Sequence, residues 1–204
     1  FQDGSEIHEA VMTMLAIAQT GNSYECFAPD IDQYRTVNHL TGDAIAEKRN
    51  VLQESARIAR GKIRPLSEFN AGVFDGLIIP GGYGAALNLC SFGIDGKDCV
   101  VNKDVKQAVE AVMKQEKPIG ALCIAPVILA ALIKGVKITV GQAEDVNGVL
   151  KTMGAVTENT CQTQVVVDEG KKIVTGPCYM LDSSILEIAL GAKNVVEKML
   201  TFME

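Results

Sequence analysis

The longest apolar run of the chain, 15 residues from Ile119 to Ile133, restricts the fold more than any other feature of the sequence. Lys117 and Lys134 flank the run, and Pro126 lies inside it. A helix that crosses a membrane needs about 20 apolar residues, so the run is too short for a span. Proline is favoured in the first turn of a helix but breaks a helix interior. The run therefore predicts a buried strand that leads directly into a buried helix.

Strands and amphipathic helices alternate along the rest of the chain. Apolar strand patterns occur at 24–28, 76–79, 118–122 and 137–140, with helical patterns between them. Later patterns at 164–167 and 172–175 flank Asp168-Glu169-Gly170, which predicts a β-hairpin. This order favours an α/β fold with a mainly parallel sheet that helices cover on both faces.

The first helical pattern has no strand pattern before it. Folds of this class normally open with a strand in the centre of the sheet. We therefore expect a single domain over residues 1–204, with its first strand upstream of Phe1. The helix caps are expected at Asp3 or Ser5 for the first helix and at Asp182 or Ser183 for the last.

The charge and the cysteine content of the chain argue against several kinds of binding site. The chain has 19 basic and 25 acidic residues, a net charge of −6, and no long basic run. It therefore lacks the electrostatic footprint of a protein that binds nucleic acid or an anionic membrane surface. Six cysteines without a C-x-x-C pair, and only two histidines, make a structural zinc site a poor interpretation. Reduced thiols in the cytoplasm are expected, with a mitochondrial location left open.

The strongest chemical signal is Gly120-Ala121-Leu122-Cys123-Ile124-Ala125-Pro126. A buried strand that ends at Cys123 and a helix that starts at Pro126 have the strand–turn–helix order of a nucleophile elbow. Such a turn is expected to expose the sulfur at the carboxyl end of the sheet, where doubly wound folds bind ligands. The helix N-terminus would favour the thiolate. An ordinary buried cysteine is the alternative, and the local pattern does not decide between them.

Two further segments could supply the rest of a site. Pro80-Gly81-Gly82-Tyr83-Gly84 follows a buried strand, and its backbone N–H groups could form an oxyanion hole with the N–H of Ile124. A plain tight turn is the alternative. Glu6 and Glu9 are three residues apart and share one face of the first helix. Acidic residues in a first turn usually only cap the helix, and His8 and His39 could be plain surface residues.

These segments resemble the ElbB-type proteins, described as cofactor-independent glyoxalases or as isoprenoid-biosynthesis proteins with an amidotransferase-like domain. That group belongs to the PfpI-like branch of the class I glutamine-amidotransferase-like superfamily. The resemblance spans most of the chain and is carried by D-G-S-E-I-H-E-A from Asp3, R-N-V-L-Q-E-S-A-R-I-A-R-G-K from Arg49, P-G-G-Y-G-A-A-L-N-L from Pro80, D-G-K-D-C-V-V-N-K from Asp95 and P-I-G-A-L-C-I-A-P-V from Pro118.

The resemblance implies a flavodoxin-like, three-layer α/β/α fold with Cys123 as nucleophile. It places Glu9 beside the sulfur and Glu6 one turn earlier, at the mouth of the site. Gly81, Gly82 and Ile124 would line the substrate pocket. The implied activity converts glyoxal, and other small dicarbonyls, to the hydroxy acid through a cysteine hemithioacetal. No cofactor or metal is implied, and relatives of this kind commonly form homodimers.

Three other functions remain alternatives at this point. A binding or redox-sensing protein of the same fold would oxidise Cys123 rather than use it in turnover. A glutamine amidotransferase needs a histidine downstream of its cysteine, and none follows His39. A PfpI-type cysteine peptidase usually has histidine directly after the nucleophile, where this chain has Ile124. The sequence thus favours the glyoxalase over the last two.

Overall fold

A computed structural model describes residues 1–203. In chain order, the helices are α1 (Ile7–Gln19), α2 (Val51–Ile58), α3 (Phe92–Asp95), α4 (Lys103–Lys114), α5 (Pro126–Leu132), α6 (Glu144–Thr152) and α7 (Ile185–Leu200). The strands are β1 (Cys26–Ala28), β2 (Thr36–Val37), β3 (Ala44–Ile45), β4 (Ile63–Pro65), β5 (Leu77–Ile79), β6 (Ile119–Leu122), β7 (Lys137–Ile138), β8 (Val156–Thr157), β9 (Val166–Asp168) and β10 (Ile173–Gly176). Among these helices, none is both long enough and apolar enough to cross a bilayer.

The central sheet has the strand order β5-β6-β10-β9. Strand β6 pairs in parallel with β5 and with β10, while β9 and β10 form the predicted antiparallel hairpin. Helices α1 and α7 pack side by side, and α7 lies against β6 and β10. With α4 also packed against β6, the architecture is the predicted flavodoxin-like, three-layer α/β/α fold.

The predicted strand-to-helix run forms the centre of the core. All of β6 is buried, and so are the first five residues of α5. Gly120 and Gly176 let α7 approach the sheet closely, because a Cβ at either position would lie 3.1 Å from a methyl carbon of Val195. This contact fixes α7 against β6 and β10, and α1 packs along α7.

A cleft of about 1100 Å³ lies between β5 and the separate β1–β4 pair. Its lining is mainly apolar and includes residues of β1, β5, α1, α4 and α7. Leu77 donates its N–H to Pro118 on the β6 side, so the N–H of Ile78 points toward the cleft. A strand upstream of Phe1 stays a prediction.

The predicted caps of the first and last helices are wrong. Glu6 caps α1 and Ser184 caps α7, rather than the neighbouring residues expected from the sequence. Val11 and Leu15 are apolar, yet both are exposed, whereas Glu9, Thr13 and Ala16 are buried. The reason is that α1 packs mainly along α7, so only a narrow stripe of the helix is covered, and that stripe contains a carboxylate.

Candidate active site

Cys123 lies on a strained turn between β6 and α5. Its φ of 59° is in the left-handed region, which non-glycine residues rarely adopt. The turn is closed by the N–H of Ala125, which donates to the carbonyl of Leu122 at 2.9 Å. The N–H of Cys123 continues the β10 pairing by donating to Gly176 at 2.9 Å. This is the backbone geometry of a nucleophile elbow.

The sulfur is less open than the sequence suggested. Cys123 is only 7% exposed, so the prediction that the turn presents the thiol to solvent is wrong. The covering groups are Gly81, whose backbone lies against the Cys123 side chain, and the Glu9 carboxyl. The sulfur is therefore enclosed on the sides of the glycine turn and of α1.

The prediction that a carboxylate from the first helix lies beside the sulfur is confirmed in its geometry. Glu9 is completely buried, and its carboxylate lies next to the Cys123 thiol, both of them against the backbone of Gly81. Glu9 Oε2 accepts the N–H of Gly81 at 2.9 Å, and Oε1 accepts the N–H of Tyr179 at 3.2 Å. Each carboxylate oxygen thus has a fixed partner, and the group is held in one orientation.

The glycines after β5 are required by close contacts. A Cβ on Gly81 would lie 2.3 Å from the Cβ of Cys123 and 2.5 Å from Glu9 Oε2. Gly82 has a φ of 96°, and a Cβ there would lie 2.3 Å from the carbonyl oxygen of Gly4. With no side chains in the way, the N–H groups of Gly82 and Ile124 both point at the sulfur. They are placed to stabilise negative charge at or next to it.

Glu6 lies next to Glu9 but has a different set of contacts. Its Oε2 accepts the N–H of Glu9 at 2.7 Å, and its own N–H donates to Gly81 at 2.8 Å. The side chain therefore caps α1 and ties the helix to the glycine turn. At 8% exposure it is not at an open mouth, although its negative charge acts directly on Glu9.

The electrostatics of the site keep a proton on the sulfur–carboxyl pair. Burial raises the pKa of Glu9 to about 7, against the opposing effect of its hydrogen bonds to Tyr179 and Cys123, and the charge of Glu6 adds to the rise. Burial and the Glu9 carboxylate also raise the pKa of the Cys123 thiol well above its ordinary value, although Gly82 and Ile124 lower it. The thiolate expected from the helix N-terminus alone is therefore not the resting form. Near neutral pH the thiol therefore keeps its proton, while Glu9 is close to the midpoint of its own titration.

Replacing Glu9 by glutamine is expected to change how stability depends on pH. A folded-state pKa of about 7, against an ordinary 4.5, favours the fold at low pH. That contribution is present below pH 4.5 and is lost as the pH rises to about 7. The difference in unfolding free energy, native minus Glu9→Gln, should fall by about 3 kcal/mol over this window.

Urea denaturation at several pH values from about 3 to 8 measures this difference and covers the range in which the control below titrates. Glu187→Gln is the matched control of opposite sign, because hydrogen bonds from Ser184 lower the pKa of Glu187. For that variant the difference should grow as the pH rises through the acidic range. A Glu9→Gln difference that does not depend on pH would show that Glu9 ionises normally in the fold.

Tyr179 and Cys178 belong to the site and were missed in the sequence. They follow β10, the strand next to β6, at the same edge of the sheet as Cys123. The signal that could have found them was Gly176-Pro177 directly after a buried strand, a turn at the edge where ligands bind in such folds. His8 contacts the Tyr179 hydroxyl, whereas His39 lies near Asp3, away from the sulfur.

Comparisons with known proteins agree with this architecture. Residues 3–179 match the model of the DJ-1/PfpI family. The chain is 41% identical over 208 residues to the rat "ES1 protein homolog, mitochondrial", covering 97% of this chain and 78% of the relative. It is equally similar, over 211 residues and with the same coverage, to the human "Glutamine amidotransferase-like class 1 domain-containing protein 3, mitochondrial".

Solved structures are similar along the whole chain. An isoprenoid biosynthesis protein with an amidotransferase-like domain from Ehrlichia chaffeensis superposes with a TM-score of 0.93 at 36% identity, covering 100% of this chain and 94% of that one. DJ-1beta from Drosophila melanogaster superposes with a TM-score of 0.56 at 17% identity, which shows a common fold only.

Proposed function

The chain belongs to the DJ-1/PfpI family, and on this premise we propose that it is a cofactor-independent glyoxalase that converts glyoxal to glycolate. The observation that carries the proposal is the closed pair of Cys123 and Glu9, with the N–H groups of Gly82 and Ile124 directed at the sulfur. The pair combines a nucleophile, an acid–base group with a pKa of about 7 and two donors for an oxyanion. The ElbB-like motifs in the sequence support the same reaction.

The first step adds the sulfur to one aldehyde carbon. The Glu9 carboxylate takes the thiol proton as the C–S bond forms, so no free thiolate has to exist in the buried site. The N–H groups of Gly82 and Ile124 stabilise the resulting alkoxide. Glu9 then returns its proton to that oxygen, which gives the hemithioacetal.

The second stage moves a proton between the two carbons. Glu9, again a carboxylate, removes the hydrogen from the carbon bonded to sulfur, and the electrons form an enediolate. The protonated Glu9 then delivers a proton to the other carbon, and the hydroxyl proton on the sulfur-bearing carbon passes to the neighbouring alkoxide oxygen. This leaves a thioester of glycolate on Cys123. Attack by water releases glycolate and regenerates the thiol, so the reaction consumes one water and needs no external oxidant or reductant.

The alternative of a redox-sensing thiol has less support. Oxidation by peroxide follows thiolate character and exposure, and Cys123 is buried with a raised pKa. A general base beside the sulfur is required for addition to a carbonyl but not for sensing. The amidotransferase and peptidase alternatives still lack their histidine. No described residue points to isoprenoid chemistry, a connection that rests on the name of the Ehrlichia protein.

The cellular location and the oligomeric state of the proposed enzyme are separate questions from its chemistry. The rat, human and zebrafish relatives are named as mitochondrial proteins, so the expected cytoplasmic location has no support among them. A mitochondrial location, which the sequence prediction left open, fits these names. A homodimer stays a prediction of the resemblance.

The test is incubation with glyoxal, and separately with methylglyoxal, in D₂O. We expect glycolate well above a protein-free control, measured by NMR. Part of the glycolate should carry deuterium on carbon 2, because the proton passes through Glu9 and can exchange. The uncatalysed reaction in base transfers hydride and incorporates no solvent deuterium there. If neither dicarbonyl yields hydroxy acid above the control, the proposed function is wrong.

A further inference from the structure

The turn after β10 has an unusual backbone that serves Glu9. Cys178 has a φ of 43°, a left-handed conformation in a residue that is not glycine. The turn is held by the N–H of Met180, which donates to Pro177 at 2.9 Å, and by the Ser183 hydroxyl, which donates to the Cys178 carbonyl at 3.0 Å. The N–H of Tyr179 is consequently free to point at Glu9 Oε1.

The Tyr179 side chain makes a second connection to the same helix. Its hydroxyl is hydrogen-bonded to Nδ1 of His8 at 2.8 Å, and the two rings lie 5.9 Å apart. His8 directly precedes Glu9 on α1, so the turn contacts two consecutive residues of the helix. The backbone of the turn contacts the buried Glu9, and the Tyr179 side chain contacts the exposed His8. Two linked contacts of this kind restrict both the rotation of α1 and the position of the turn.

We propose that His8 and Tyr179 form a clamp that positions Glu9 for acid–base catalysis by keeping the N–H of Tyr179 on Oε1. The clamp rests on the proposed function, since it acts through Glu9. Neither side chain is a catalytic residue in this proposal, because neither touches the reacting atoms. Both are positioning residues.

The groups around Glu9 make the pKa of its carboxyl depend on the hydrogen bond from the N–H of Tyr179. Glu9 is faced by Glu6 on its own helix, by Cys123 from the elbow, and by Cys178 and Tyr179 from the turn. Within this acidic surrounding, the N–H of Tyr179 is the strongest of the contacts that lower the pKa of Glu9. Loosening it raises that pKa further, so a higher pH is needed to form the carboxylate that takes the thiol proton.

The test compares Tyr179→Phe, His8→Ala and His8→Asn. The first removes only the hydroxyl, the second removes its partner, and the third keeps a polar atom near the Nδ1 position. For Tyr179→Phe and His8→Ala we expect kcat for glyoxal to fall about tenfold with KM within about twofold. The midpoint of the rising limb of the pH–rate profile should move to higher pH. His8→Asn should recover most of the loss, and the double variant should be no worse than either single variant.

Tyr34→Phe is the matched control, because the Tyr34 side chain is 60% exposed and remote from Glu9. It should change neither kcat nor the pH midpoint. An unshifted midpoint together with a higher KM in Tyr179→Phe would overturn the clamp. That result would mean that the phenol serves substrate binding instead.

A second readout separates this proposal from the glyoxalase assignment. The rate at which iodoacetamide alkylates Cys123 depends on proton transfer from the thiol to Glu9, with no substrate present. Peptide mass spectrometry distinguishes this thiol from the exposed Cys161. The pH at which the Cys123 rate rises should shift upward in Tyr179→Phe and His8→Ala. If glyoxal is not turned over but this shift occurs, the glyoxalase proposal fails and the clamp stands. If the pH dependence of Cys123 alkylation is unchanged in Tyr179→Phe and His8→Ala, the clamp proposal fails.

Discussion

Replacing Cys123 by alanine is expected to lower the turnover of glyoxal at least about 1000-fold, because the variant cannot form the covalent intermediate. Nothing else in the site can replace the sulfur. The nearest other thiol, Cys178, is completely buried, and burial raises its pKa strongly. Glu9 and the N–H groups of Gly82 and Ile124 would remain, but they act only on a substrate that the sulfur has already bound.

The same variant is expected to keep the fold. Alanine adopts the left-handed conformation at position 123 no less readily than cysteine, and its smaller side chain creates no new contact. Initial rates of glycolate formation give the activity, and a thermal melt followed by circular dichroism shows that the variant folds. Cys161→Ala is the matched control, since Cys161 is exposed and lies outside the site. Turnover by a folded Cys123→Ala variant within tenfold of the native rate would contradict a nucleophilic role.

The elbow could be predicted from the sequence because it is local. A buried strand, a cysteine, a short turn and a proline at the helix start follow one another in seven residues, and steric rules decide their geometry. The fold class is predictable for a similar reason, since alternation of strands and helices leaves few topologies. Glu9 required more than the local pattern, which could not separate it from Glu6. The family resemblance selected Glu9. In the structure its carboxylate is held by the N–H groups of Gly81 and Tyr179, which are 72 and 170 positions away in the sequence.

The state of the sulfur could not be predicted from local rules. The N–H donors at Gly82 and Ile124 do act on Cys123 as the helix N-terminus predicts, and they lower its pKa. Burial and the Glu9 carboxylate outweigh them, and both depend on how α1 packs against α7 and the sheet. Tyr179 was missed for the same reason. Its contribution comes from a backbone N–H, which every residue type except proline could supply, so its residue type gives no sign of it. Only the turn at Gly176-Pro177 after a buried strand points to this segment.

Replacing Gly81 by alanine is expected to destabilise the protein by more than about 4 kcal/mol and to abolish turnover. The added Cβ would meet the Cys123 Cβ at 2.3 Å, the Glu9 Oε2 at 2.5 Å and the sulfur at 2.9 Å. All three belong to buried groups on strained or hydrogen-bonded backbone, so none can move away cheaply. Gly81 does not have a positive φ, and the loss would therefore come from this contact alone.

Gly148→Ala is the matched control for this substitution. Gly148 lies inside α6, and a Cβ there would meet nothing within 4 Å. Alanine should therefore stabilise the helix by about 0.5–1 kcal/mol. Urea denaturation measures the change in stability of both variants. Glyoxal assays on the folded fraction of Gly81→Ala measure its loss of turnover. A Gly81→Ala variant that is as stable as the native protein would mean that the glycine turn does not lie against the sulfur, and the closed geometry on which the mechanism depends would have to be abandoned.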